Sequence, residues 1–196
     1  MGYSLSWLAF KGAAVETGLE TLGLSKTGSR AEWGRKSVTG HALRDGWHLV
    51  IAPRFDHPLI LESSLAALSK TAQVIACRVE EHVMFSSAEF WVHGEKVWSV
   101  EHDAQQDMRH LKTEGTLPAT YNIAAAEAAE QQDAEDLGAK EVDFYFEVPL
   151  QIANEVVGFK HDEENAALDH NHFEVYASLS KPLSDGAVRK WWQVWK

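Results

Sequence analysis

Residues 87 to 92, SAEFWV, and residues 95 to 103, EKVWSVEHD, are two runs rich in aromatic and β-branched side chains, separated only by His93-Gly94. A two-residue connection leaves no room for a crossover, so the runs must pair antiparallel as a hairpin. That requirement constrains the fold more than any other feature. A chain whose strands meet across tight turns builds an antiparallel sheet, with helices laid on it, in preference to a doubly wound parallel one.

The rest of the chain agrees. Residues 3 to 9 alternate Tyr3, Leu5, Trp7 and Ala9 with serines, which predicts a half-buried strand turned by Lys11-Gly12. Val15, Leu19 and Leu22 follow at helical spacing, with Gly23 as a stop. Residues 25 to 46 are rich in glycine, serine, threonine and charge and predict short strands and turns. Asp45-Gly46 then leads into a buried strand, WHLVIA, at 47 to 52, which Pro53 ends.

Leu61, Leu65 and Leu68 mark a helix of about nine residues. A long strand is predicted over 72 to 85, and a polar loop after residue 103. A helix runs from Thr116 and Pro118 to Leu137, with Gly138 as its stop. DFYFEV, at 143 to 148, reads as a strand, the stripe Leu150, Ala153 and Val157 as a helix opened by Pro149, and residues 172 to 179 as a strand. No fixed-period repeat and no long Gly- or Pro-rich linker divides the 196 residues. The expectation is one α+β domain over 1 to 196, a mainly antiparallel sheet with three to four packed helices, carrying a Trp-rich tail at 189 to 196.

Cys77 is the only cysteine and lies in the apolar run VIAC, so no intramolecular disulfide forms and a reducing compartment is expected. No basic leader precedes an apolar stretch and no run of eighteen apolar residues occurs, which predicts a cytoplasmic chain without a membrane span. Eighteen basic residues against twenty-nine acidic give a net charge of −11, which repels phosphate backbones and argues against nucleic acid. A basic protein is the partner such a surface suits.

The acids crowd into residues 127 to 147. Glu127, Glu130, Asp133, Glu135 and Asp136 are the candidates for steering such a partner, and Trp191, Trp192 and Trp195 of the tail RKWWQVWK for contact. The same tail also suits self-association, so an assembly subunit and a homo-oligomer are further readings.

Chemistry has fewer candidates. No Gly-x-Ser-x-Gly, activated cysteine or phosphate-binding glycine pattern is present, and Gly12, Gly18 and Gly23 form no dinucleotide fingerprint, so no cofactor is expected. An enzyme would rest on carboxylates and histidines. In the hairpin, either two-residue turn pairs even positions with odd ones. Glu80, His82, Met84, Ala88 and Phe90 then share a face with Val97, Ser99, Glu101 and Asp103. The opposite, apolar face takes Val83, Phe85, Trp91, Trp98, Val100 and His102.

Glu80, His82, Glu101 and Asp103 are therefore the candidate acid-base or metal cluster of a hydrolase or small-molecule enzyme. His170 and His172, two apart at the start of a strand, with Glu174 next in line, form a second metal-type pattern.

SLSWLAFKG, WHLVIAPRFDHPL, EEHVMFSSAEFWVHGEKVWSVEHD and VPLQIANEVVGFKHD resemble segments of a family of bacterial proteins of this length with no demonstrated activity. The resemblance implies a bacterial cytoplasmic source and carries over no catalytic residues. The Trp91-x-x-Gly94-x-x-x-Trp98 phrase also resembles pieces of immunity proteins that neutralise bacterial toxins. The resulting expectation is a non-enzymatic binding module, of immunity or antitoxin type, that inhibits a basic partner.

Overall fold

A computed structural model describes residues 2–33, 36–135, 142–163 and 172–179. Nine strands form a single open sheet: β1 (Ser4–Lys11), β2 (Leu24–Ala31), β3 (Val38–Ala42), β4 (His48–Ala52), β5 (Gln73–Glu80), β6 (Phe85–Val92), β7 (Glu95–Asp103), β8 (Lys112–Gly115) and β9 (Phe173–Ser178). Their order is β2-β9-β3-β4-β1-β5-β6-β7-β8, and every neighbouring pair is antiparallel. Among the described residues four α-helices accompany the sheet: α1 (Val15–Thr21), α2 (Glu62–Ser69), α3 (Thr120–Glu135) and α4 (Glu147–Val157). The fold is α+β, as the hairpin requires.

Alternation along β1 divides two cores. Leu5, Trp7 and Ala9 face α3 and α4, whereas Leu8 and Phe10 face α1 and α2. The helix stripe Leu150, Ala153 and Val157 is fully buried on the first side, where Trp7 meets Phe159 edge to face at 5.3 Å. On the second side α1 sits so close to the sheet that a Cβ at Gly18 would stand 2.4 Å from the Phe10 ring. Only glycine permits that approach. Cys77 is buried in the first core, where burial pushes its thiol well above the ordinary range.

Several expectations change. The strand predicted over 72 to 85 is two strands, because residues 81 to 84 form a turn in which Met84 takes φ 50°. The turn has no glycine or proline to announce it.

Secondly, DFYFEV is not a strand. The Phe146 amide donates to Asp143 Oδ1 at 3.1 Å, turning the chain into α4, which starts at Glu147. Pro149 sits in the first helical turn, where its missing N–H costs nothing.

The third change is one of register. His93 and Gly94 both take positive φ, as a two-residue hairpin turn demands, and Val92 pairs Glu95. A register shift between Phe90 and Trp91 then leaves Val97 as an extra residue, so Phe90 pairs Trp98 and Ala88 pairs Val100. Even positions thereafter oppose even ones, and Ser86, Ala88 and Phe90 share a face with Trp98, Val100 and His102. The bulge lies beside the turn. Residues 112 to 115, predicted within a polar loop, form the exposed edge strand β8.

Candidate functional site

The sequence-derived acid-histidine cluster does not assemble as four side chains around one point. Glu80, Phe85 and Asp103 stand in one cross-strand row, and Arg78, Ser87 and Glu101 in the next. Two strand spacings separate Glu80 from Asp103, about 10 Å. His82 leaves the sheet in the 81–84 turn and pairs only with Glu80, Nδ1 to Oε1 at 2.6 Å. Burial acts to raise the Glu80 pKa, but hydrogen bonds from Ser4 and His82 outweigh it and hold the carboxyl below its usual range. Asp103 accepts from the Gln105 amide and Gln106 side chain, capping the turn after β7.

The adjacent acid is engaged elsewhere. Glu81 accepts from Tyr3 N at 2.7 Å and lies 3.0 Å from Nε2 of the buried His161, tying the start of the chain to the segment after α4. His102, on the apolar face as expected, is fully buried. Its Nε2 lies 2.9 Å from Asp143 Oδ2 and its Nδ1 2.8 Å from the His110 carbonyl.

Of the second metal-type pattern, His170 lies outside the described residues. The His172 carbonyl accepts from Arg30, and Glu174 on β9 faces Lys26 at 3.6 Å. Among the described residues no group of three or more His, Cys, Asp or Glu is placed to hold a metal ion.

The acidic run is more coherent. On α3, Glu127, Glu130 and Asp133 are exposed and Glu135 is half-buried, while Ala124, Ala128 and Gln132 face inward. Asp133 pairs with Arg109 at 2.6 Å. Because α3 packs through alanines, it leaves a groove against α4 holding two cavities of about 210 Å³ each. Ala124, Ala128, Val148 and Ile152 lie along it, with Glu127, Glu147 and Glu155 among the side chains that border it. Ile123 is 60% exposed beside it. The one lysine lining these cavities, Lys160, is held by Glu147 at 2.7 Å, Asp162 at 3.1 Å and Glu163 at 3.6 Å. Burial acts to lower the Lys160 pKa, and Glu147 and Asp162 more than offset it. Asp136, Trp191, Trp192 and Trp195 lie outside the described residues.

Sequence reasoning missed a further set. β9 inserts between β2 and β3 and brings Tyr176 to 2.8 Å from Nε2 of the buried His48. Burial lowers the His48 pKa to about 4, aided by Lys26 and His41, while burial and Glu174 raise that of Tyr176. At neutral pH the imidazole is uncharged. Beside it is a cavity of about 330 Å³ lined by α1, β2, β3, β4, β9 and His172.

No family model, curated protein or solved structure matches this chain. Among the described residues no helix is long and apolar enough to cross a membrane.

Proposed function

We propose that this protein is a non-enzymatic protein-binding module, acting in the bacterial cytoplasm as an immunity- or antitoxin-like inhibitor of a basic partner. The observation that carries the reading is the α3–α4 groove, with its apolar floor and acidic border. Docking surfaces combine an apolar centre with a charged rim. Here the rim is of one sign, since Glu127 and Glu155 are exposed, Glu130 is exposed further along α3, and Lys160 is already neutralised. Such a rim speeds encounter with a cationic surface and rejects acidic competitors. A segment bearing lysine or arginine around a few apolar side chains fits it.

The test is affinity capture from native lysate with the wild-type chain and with Glu127→Lys/Glu130→Lys/Glu155→Lys. All three positions are exposed, so the variant should fold. A stoichiometric basic protein retained by the wild type at moderate salt, released at high salt and absent from the variant supports the proposal. Equal capture by both chains, or a bait that elutes alone, refutes it.

A further inference from the structure

We infer that the cavity over β3 and β4 is a binding site for a small hydroxycarboxylate, with Arg30 and Lys26 taking the carboxylate and His48 the hydroxyl. This site is separate from the α3–α4 groove.

Its floor is made by a missing side chain. Ala42 pairs with His48 across β3 and β4, Gly40 lines the same cavity, and a Cβ at Gly40 would stand 2.5 Å from the Tyr176 ring. Glycine there lets Tyr176 lean across β3 and hold His48 Nε2. In the tautomer protonated on Nε2, the imidazole donates Nε2–H to the phenol oxygen, 2.8 Å away. The remaining lone pair is on Nδ1, which is buried and has no hydrogen-bond partner in the protein. A buried acceptor without a donor is costly, and the protein supplies no donor here. A hydroxyl entering from the cavity would supply one.

The rim supplies the opposite chemistry. Lys26 spans from Glu16 on α1 at 3.0 Å to Glu174 on β9 at 3.6 Å. Both Lys26 and Glu16 are well exposed, so their ion pair is weak and exchanges readily for a ligand carboxylate. Solvent does not reach Nδ1, so a ligand hydroxyl contacts it only after a shift of the cavity wall. Arg30 lies beside them on β2 and, among the described residues, makes a single 3.4 Å contact, to the His172 carbonyl. A guanidinium presents a fork suited to a carboxylate, and one long carbonyl contact leaves most of that capacity unused. An ammonium in place of the hydroxyl would meet Lys26 and Arg30 as like charges, which favours the hydroxy acid over the amino acid. The volume suits a molecule of a few carbons.

The experiment is a titration of the full chain with glycolate, L-lactate and L-malate, followed by long-range ¹H–¹⁵N imidazole spectra that resolve the two nitrogens of His48. The expected result is a saturable shift of the His48 Nδ1 resonance at millimolar ligand, weakened roughly tenfold in Arg30→Gln. The same loss should not occur in Arg54→Gln, which changes an exposed arginine on another loop. Acetate, which lacks the hydroxyl, should bind more weakly and leave Nδ1 unmoved. Arg30 is exposed on an edge strand, so its variant retains the fold, as circular dichroism will verify. No saturable shift with any of the three acids, binding of equal strength in Arg30→Gln, or an Nδ1 shift with acetate matching that with glycolate would each overturn the inference.

Discussion

His102 Nε2 lies 2.9 Å from Asp143 Oδ2 across a buried gap, joining the end of β7, next to the edge of the sheet, to the turn that starts α4. The other ring nitrogen faces the His110 carbonyl at 2.8 Å, so an oxygen stands against each nitrogen of the ring. Asp143 Oδ1 meanwhile accepts from the Phe146 amide. One carboxylate thus serves both as the buried partner of a strand histidine and as the stop that turns DFYFEV into a helix. Asp143→Ala removes both functions and leaves the histidine buried without its acceptor. Urea unfolding should report a loss of about 3–5 kcal/mol. Asp143→Asn, which keeps an acceptor oxygen, should lose less.

The acid limb of stability should carry the signature of His48. Its folded pKa, near 4, lies below the ordinary histidine value, so the unfolded chain takes up a proton first as pH falls. Stability is unaffected by this group above about pH 6.5 and declines at about 1.4 kcal/mol per pH unit below it, until the folded ring protonates near pH 4. The full loss is about 3 kcal/mol. His48→Gln cannot titrate and should flatten the stability profile between pH 6.5 and 4 in denaturant melts, whatever its effect at pH 7. A variant whose profile falls as steeply as the wild type would show that other groups carry the acid limb.

Arg78 and Glu89 make a part-buried ion pair, at 2.8 Å. Arg78 also donates to the Ile60 carbonyl at 2.7 Å, and Trp91 Nε1 donates to the second Glu89 oxygen at 2.9 Å. Arg78→Met strands a carboxylate that is 7% exposed, and the expected cost is about 3–5 kcal/mol. Replacing both, Arg78→Met/Glu89→Leu, should recover most of that loss, because an apolar pair needs no solvation. Recovery stops short by about 1–3 kcal/mol, since Trp91 Nε1 then lacks an acceptor. Chemical denaturation of the two variants and the wild type measures the difference.

What the sequence made legible follows from range. The His93-Gly94 turn and the Leu150, Ala153 and Val157 stripe are local patterns, and the structure contains each; β1, read as a half-buried strand, is instead buried on both faces, because helices cover the sheet on each side. The bulge at Val97 is one added residue with no compositional mark, yet it reverses the facing of the whole of β6 relative to β7. The turn at 81 to 84 is hidden because Val83, Met84 and Phe85 continue an apolar run. DFYFEV misleads because Phe144 and Phe146 alternate as in a strand while Asp143 acts as a cap. His48 and Tyr176 stand 128 positions apart and meet only because β9 enters the sheet beside β3. The acidic face of α3, by contrast, was readable from residue spacing, whereas the groove beside it depends on α4.

Gly40 offers a last check on that long-range contact. Its constraint is space: a Cβ there would lie 2.5 Å from Tyr176 Cε2 and 2.6 Å from the Leu49 carbonyl oxygen. The ring can tilt away, but the carbonyl belongs to the neighbouring strand and cannot move without disturbing the ladder. Gly40→Ala should therefore cost about 1–3 kcal/mol in thermal or urea unfolding. It should also break the His48–Tyr176 hydrogen bond, seen as a changed Nε2 resonance. Adding Tyr176→Ala removes the ring clash and leaves the carbonyl clash, so the double variant should lose less than the sum of the two single ones. Strict additivity would mean that residue 40 and the ring do not share the space the structure assigns them.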